Sequence, residues 1–182
     1  MFLISNFLFK SILTLSSTSL ISTIFFIKKE YIFYCLDEFP QYFSYFVILL
    51  LPLVLTRLSL CLHVFLANAC IEHTPLAVED AANSFLPSYL GYFFVALSVN
   101  SNETFWYVFG ILFIFTYLSQ TIYFNPIFLI FGYNFYYVTT INNKKIFVIT
   151  KKKLDAPTDL LDIPLKRINN FTFIEVAKKN SK

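Results

Sequence analysis

Long apolar stretches separated by short charged segments dominate the chain before Gly132. Residues 11–27, 81–102 and 104–143 contain no Asp, Glu, Lys or Arg. An apolar segment of about 20 residues crosses the roughly 30 Å hydrocarbon core of a bilayer as a helix. In that form the backbone satisfies its own hydrogen bonds without water. The pattern therefore predicts an integral membrane protein that is mainly α.

The same pattern predicts four membrane-spanning helices in a transmembrane bundle. They are expected at residues 7–27, from Gln41 into the apolar run that ends at Leu66, around residues 89–99, and at residues 104–124. Asn125-Pro126 should break or kink the fourth helix, because the residue before proline is pushed away from the α region. The first helix is expected to be retained, since no small-residue cleavage pattern follows it.

Two polar segments in this half have open interpretations. Residues 14–20 read TLSSTSL, and their hydroxyls suit either close packing inside a bundle or hydrogen bonds back to their own helix. Residues 67–84 form a polar connection between the second and third helices, and we considered a short amphipathic helix on the membrane surface there.

After Gly132 the pattern changes to that of β-strands. Runs rich in Tyr, Phe, Val, Ile and Thr at residues 133–141 and 145–151 flank Asn142-Asn143, which predicts a β-hairpin. The alternative is a fifth helix through residues 127–141. A further strand is predicted within residues 170–176. The predicted division is thus a transmembrane four-helix domain, residues 1–131, and a cytoplasmic basic β-rich tail, residues 132–182.

Charge sets the predicted topology. The net charge of +3 conceals four basic against seven acidic residues before Gly132, and ten basic against four acidic residues after it. Basic segments next to membrane helices favour the cytoplasmic side. We therefore expect a multi-pass membrane protein with both termini in the cytoplasm.

The candidate functional residues are all basic. Arg57, the one charge inside an apolar run, is interpreted as an anchor at the membrane interface, where its side chain can snorkel; an intramembrane functional charge is the alternative. The hairpin lysines are the candidate docking surface for a partner, with adhesion to anionic lipid as the alternative. They are Lys144, Lys145, Lys151, Lys152 and Lys153.

The sequence offers little for catalysis or cofactor binding. No Gly-rich phosphate loop or G-x-S-x-G motif occurs, and we expect no catalytic, cofactor or metal residues and no enzyme activity. Cys70, Glu72 and His73 are potential metal ligands, but they are crowded together and lack a spaced partner, and His63 lies in or near the second helix. The odd count of three cysteines argues against a disulfide framework. Direct nucleic-acid binding is not expected either.

Four segments together resemble the KwaA family, the membrane subunit of the bacterial Kiwa anti-phage defence system. They are residues 85–98 (FLPSYLGYFFVALS), 119–138 (SQTIYFNPIFLIFGYNFYYV), 146–151 (IFVITK) and 166–174 (KRINNFTFI). The resemblance implies a four-helix protein of the bacterial inner membrane that acts as a sensor or scaffold and forms a homo-oligomer, for instance a tetramer. It also implies a cytoplasmic KwaB-like partner that acts on phage DNA. No catalytic residue is carried over.

Two other functions compete with this one. A small pore, transporter or holin-like protein needs polar residues along a path, and its support is the hydroxyl-rich first helix together with Arg57. A membrane enzyme lacks candidates for an acid, a base or a nucleophile.

Overall fold

A computed structural model describes residues 2–32, 40–62, 66–69, 74–119, 125–161 and 163–176, without the side chains of residues 2–6, 85, 88 and 119. Within these ranges the helices are α1 (Phe2–Lys28), α2 (Gln41–Leu62), α3 (Leu86–Ser98), α4 (Asn102–Ser119) and α5 (Ile127–Ile130). Short 3₁₀ helices cover Ala82–Phe85 and Pro157–Leu160. The strands are β1 (Ala67–Ala69), β2 (Ala77–Asp80), β3 (Asn134–Thr139), β4 (Lys145–Thr150), β5 (Leu165–Arg167) and β6 (Thr172–Glu175).

All six of these strands join one mixed sheet, in the order β1-β5-β6-β4-β3-β2. The β4–β6 pair is parallel, and the other neighbouring pairs are antiparallel. The parallel pair is possible because the chain makes a long excursion after β4, through a 3₁₀ helix and β5, before it returns as β6.

The prediction of a four-helix transmembrane bundle is wrong. Among the described residues two helices are long and apolar enough to cross a membrane, Phe7–Lys28 of α1 and Gln41–Leu62 of α2. The thirteen residues of α3 extend for only about 20 Å at 1.5 Å per residue. The sheet is also larger than the predicted hairpin with one further strand, so the fold combines helices with a six-stranded mixed sheet.

The β-hairpin is confirmed. β3 and β4 pair from Asn134 opposite Thr150 to Thr139 opposite Lys145. Asn143 in the connecting turn has a φ of 54°, a left-handed conformation that Asn tolerates. The alternative helix through residues 127–141 is wrong, because α5 ends at Ile130 and Gly132, with a φ of 76°, turns the chain into β3. The further strand predicted within residues 170–176 is confirmed as β6.

In its described part, residues 67–69 and 74–84, the connection contains no amphipathic surface helix of the kind that we considered. It supplies β1 and β2, which are the two edges of the sheet, followed by a 3₁₀ helix. These strands have only three and four residues, too few to show the alternation that identifies a strand from sequence. His63, Cys70, Glu72 and His73 lie outside the described residues.

Both faces of β4 are covered, which explains its continuous apolar sequence. Phe147 and Ile149 lie in a core cluster that includes Phe9 of α1. Ile146 and Val148 point to the opposite face and lie in a second cluster, closed by the segment that follows β4. One core therefore joins the amino-terminal half of α1 to the sheet.

α1 is the helix against which α2, α3 and α4 pack. Near its carboxyl end the Lys28 ammonium group donates hydrogen bonds to the carbonyl of Leu97, to that of Val99 at 2.9 Å, and to Asn100 Oδ1 at 2.8 Å. These bonds satisfy acceptors at the end of α3, where backbone carbonyls have no helical partner. The Lys28 side chain therefore links the carboxyl ends of α1 and α3.

Candidate functional site

A buried polar node joins the helices to the segment that leads into the sheet. Asn125 is fully buried. Its amide Nδ2 donates to Thr56 Oγ1 of α2 at 2.8 Å and to Ser16 Oγ of α1 at 3.2 Å. Its Oδ1 accepts a hydrogen bond from the backbone N–H of Ile127 at 3.0 Å. Three segments that are distant in sequence therefore meet at one fully bonded side chain.

The hydroxyl partners of Asn125 are held in place by their own helices. Ser16 Oγ donates to the Leu13 carbonyl at 2.8 Å, and Thr56 Oγ1 donates to the Pro52 carbonyl at 2.8 Å. Each hydroxyl keeps a lone pair free to accept from Asn125. Because Asn125 uses both amide hydrogens, this buried network is satisfied, and satisfied buried networks favour one arrangement of the surrounding elements.

The hydroxyl side chains in residues 14–20 of α1 both pack against other elements and donate hydrogen bonds to their own helix. The buried residues are Thr14, Ser16, Ser17, Thr18 and Ser19. Each also donates to a backbone carbonyl three or four residues earlier in α1. These side chains are therefore used in helix packing, and this removes one of the two observations that supported a pore.

The polar node at Asn125 lies a few residues before the β3–β4 hairpin in the chain. The Asn125 carbonyl accepts from the N–H of Phe128 at 2.9 Å, which starts α5. α5 then leads through Gly132 into β3. A change in the position of α1 relative to α2 would therefore act on the chain seven to nine residues before β3 begins at Asn134.

Basic and aromatic side chains surround this same junction. The Arg57 guanidinium carbon lies 5.6 Å from the centroid of the Phe131 ring, and Lys151 Nζ lies 5.0 Å from that of Tyr133. Both distances are within cation–π range. Arg57 is exposed near the carboxyl end of α2, a position compatible with its interpretation as an interface anchor, which stays a prediction.

Glu175 of β6 fixes the end of β4 at this junction. Its Oε2 accepts from Thr150 Oγ1 and from the Lys151 backbone N–H, both at 2.6 Å. Burial raises the pKa of Tyr133 above its ordinary value, Glu175 raises it further, and Arg57 opposes the shift. The Tyr133 hydroxyl therefore stays neutral at physiological pH.

The five candidate docking lysines do not form one patch. Lys144 and Lys145 are at the hairpin turn, whereas Lys151 follows the other end of β4 and is succeeded by Lys152 and Lys153. Lys145 and Lys151 are six positions apart along the strand, a distance of about 20 Å at 3.3 Å per residue. Only the second group lies beside the helix–sheet junction. Their role in docking stays a prediction.

One of the lysines at the hairpin turn forms an exposed ion pair. Lys145 Nζ forms an ion pair with Glu79 Oε2 of β2 at 3.2 Å, with both side chains more than half exposed. Such exposed pairs contribute little stability.

In the part of the chain that the structure describes, no three His, Cys, Asp or Glu side chains are grouped as metal ligands would be.

Sequence reasoning missed the role of Asn125. It identified Asn125-Pro126 only as a helix break, and that part is confirmed because α4 and α5 are separate helices. The available signal was a carboxamide within a long uncharged stretch. Its hydrogen-bonding partners are 69 and 109 residues away in sequence, so nothing local identifies them.

These features define a protein in which apolar helices capable of crossing a membrane are joined through a polar junction to a mixed sheet. The sequence model of the family described as Anti-phage protein KwaA matches residues 9–174. The chain therefore belongs to the KwaA family of anti-phage defence proteins. Comparison with curated proteins and with solved structures gives no match.

Proposed function

We propose that this chain is a membrane-embedded sensor and scaffold that couples phage infection at the bacterial inner membrane to a cytoplasmic, DNA-acting, KwaB-like partner. The proposed role is non-enzymatic and involves no direct nucleic-acid contact by this chain. Homo-oligomers, such as a tetramer, would place several sheets side by side for that partner. Membership of the KwaA family supports the defence role. The proposal concerns how the chain performs it.

The observation that carries the proposal is the exposed apolar face of α2. Only six of its 22 residues are buried inside the protein. Large exposed side chains along this helix are Tyr42, Phe43, Phe46, Leu49, Leu50, Leu51, Val54 and Leu58. Soluble monomers rarely expose apolar patches of such extent. Insertion of α2 together with α1 would cover this face with lipid.

The Asn125 node supports the coupling part of the proposal. It holds α1, α2 and the start of α5 together, and α5 leads into the hairpin that carries the candidate docking lysines. A displacement of α1 against α2 has a short covalent route to the sheet. Coupling of this kind needs an element with two arrangements that both sites bias. The bonded node is one of them, and breaking the Asn125 bonds to Ser16 and Thr56 would give the other.

Two spanning helices place both ends of the chain on one side of the membrane, and the basic residues after Gly132 favour the cytoplasm. Alkaline phosphatase and green fluorescent protein, fused separately after Lys182, should give fluorescence without phosphatase activity. A fusion after Tyr31, between α1 and α2, is the matched control and should give the reverse. Phosphatase activity at both positions, or at neither, would contradict insertion of α1 and α2.

Replacement of the five lysines by Gln tests the docking surface. We expect association with a coexpressed KwaB-like partner to slow by on the order of tenfold at low salt, because opposite charge steers encounter. Recovery of the partner and protection against phage should fall together, while membrane insertion is retained. Unchanged recovery and protection would show that these lysines serve topology or lipid adhesion instead.

The separation of the lysines allows a sharper version. The pair Lys144→Gln and Lys145→Gln changes the hairpin turn, whereas the triple change at Lys151, Lys152 and Lys153 alters the end beside the junction. A partial loss from each set indicates a partner that extends along β4. Loss from one set alone restricts docking to that end.

A further inference from the structure

A pocket of about 640 Å³ lies between α1, α2 and α4, near the carboxyl end of α1. This volume is within the range of small-molecule sites, about 300–1,000 Å³. Its walls are mostly apolar. The apolar surface comes from Phe25, Phe26, Val47, Ile48, Leu51 and Trp106. The polar groups come from Ser22, Thr23, Lys29, Tyr31 and Asn102.

Lys29 gives the pocket a positive charge. Its ammonium group lies 6.0 Å from the Phe25 ring centroid, at the limit of cation–π distance. Among the described residues it forms no ion pair. The adjacent Lys28 is used differently, because three acceptors at the end of α3 occupy it. Two consecutive lysines therefore have separate tasks, and only Lys29 lines the pocket.

We propose that this pocket binds one acyl chain of an anionic phospholipid, with the headgroup phosphate at Lys29. The apolar walls suit a hydrocarbon chain, and the exposed ammonium suits a phosphate at the position where α1 ends. A site of this kind, apolar with a few convergent polar groups, has the composition of pockets that bind amphiphiles. The inference rests on the proposed membrane insertion of α1 and α2.

Trp106 provides a direct measurement, because it is the single tryptophan of the chain and it lines the pocket. Bromine atoms on an acyl chain quench tryptophan fluorescence at short range. The full chain is placed in phosphatidylcholine nanodiscs that contain increasing fractions of dibrominated phosphatidylglycerol or of dibrominated phosphatidylcholine. The half-quenching fraction should be about fivefold lower for phosphatidylglycerol, as one basic residue near the surface would give.

Two variants and their controls test the assignment. Lys29→Gln should abolish the preference for phosphatidylglycerol, whereas Lys10→Gln, which changes a lysine in the amino-terminal half of α1, should retain it. Ser22→Phe, which fills the pocket, should reduce quenching by either lipid, while Ser98→Phe on the exposed end of α3 should not. Equal quenching by both lipids, or a preference that survives Lys29→Gln, would overturn the proposal.

Dibrominated stearate, a single acyl chain with a carboxylate, tests whether the pocket binds a free fatty acid in place of a phospholipid. Half-quenching at fractions as low as those of phosphatidylglycerol would overturn the phospholipid assignment. Carbonate extraction of cell membranes is measured in parallel. Extraction of the chain would contradict the proposed membrane function itself, whereas a resistant chain without lipid preference would contradict only the lipid site.

Discussion

Phe135→Ala should destabilise the protein by about 3–5 kcal/mol, the cost of truncating a fully buried aromatic side chain. Phe135 of β3 has no exposed surface and stacks on Phe147 of β4, with ring centroids 5.7 Å apart. It also packs on Phe128 of α5, at 6.2 Å. Its loss would open a cavity where the sheet meets the helices, and total stability is typically only about 5–15 kcal/mol.

The measurement combines the unfolding temperature of the detergent-solubilised protein, its abundance in cells and protection against phage. All three should fall for Phe135→Ala. Phe171→Ala is the matched control, because Phe171 is 57% exposed beside β6 and surface truncations usually change stability by no more than about 0.5 kcal/mol. Similar effects of the two substitutions would contradict the shared core between sheet and helices.

Asn125→Ala should have the second largest effect, about 2–4 kcal/mol, since it leaves a buried N–H without a partner and opens a small cavity. The affected donor is the N–H of Ile127. Protection should weaken even at a temperature where the variant still accumulates, because the hydrogen bonds that link Asn125 to α1 and α2 are removed. Asn142→Ala in the exposed hairpin turn is the control and should protect normally.

A double-mutant cycle tests whether the node acts as a unit. Thr56→Val removes the hydroxyl that bonds to Asn125 Nδ2 while keeping the side-chain shape. The double variant should lose about 0.5–3 kcal/mol less stability than the sum of the losses of the two single variants. Such a difference is expected for residues in one hydrogen-bonded network. Additive losses would show that Asn125 and Thr56 contribute independently.

Experiments on the node and on the lysines examine different steps. Asn125→Ala should weaken protection without changing the basic surface of the hairpin, so partner recovery should persist when the protein is folded. The lysine replacements should lower partner recovery while the node stays intact. If both sets of variants lose partner recovery equally at matched abundance, the node would be part of the docking surface and not a coupling element.

The amino-acid sequence by itself determined the features that depend on local periodicity. Long uncharged stretches located the helices, and β-branched and aromatic runs around Asn142-Asn143 located the hairpin. Asn125-Pro126 marked the break between α4 and α5 through proline's restriction of its neighbour. Each signal lies within a few residues, so each is readable without knowing what the segment contacts.

Only the tertiary structure decided how far the sheet extends and which polar groups meet. β1 and β2 are too short to carry a pattern, and they exist as strands because β5 and β3 supply their hydrogen-bonding partners. The same holds for Asn125, whose partners come from α1 and α2. Apolar composition also gave too many membrane spans, because a helix such as α3 can be apolar yet too short to cross a bilayer. Pairing across the chain and the length of each helix are properties of the folded molecule, and local periodicity does not specify them.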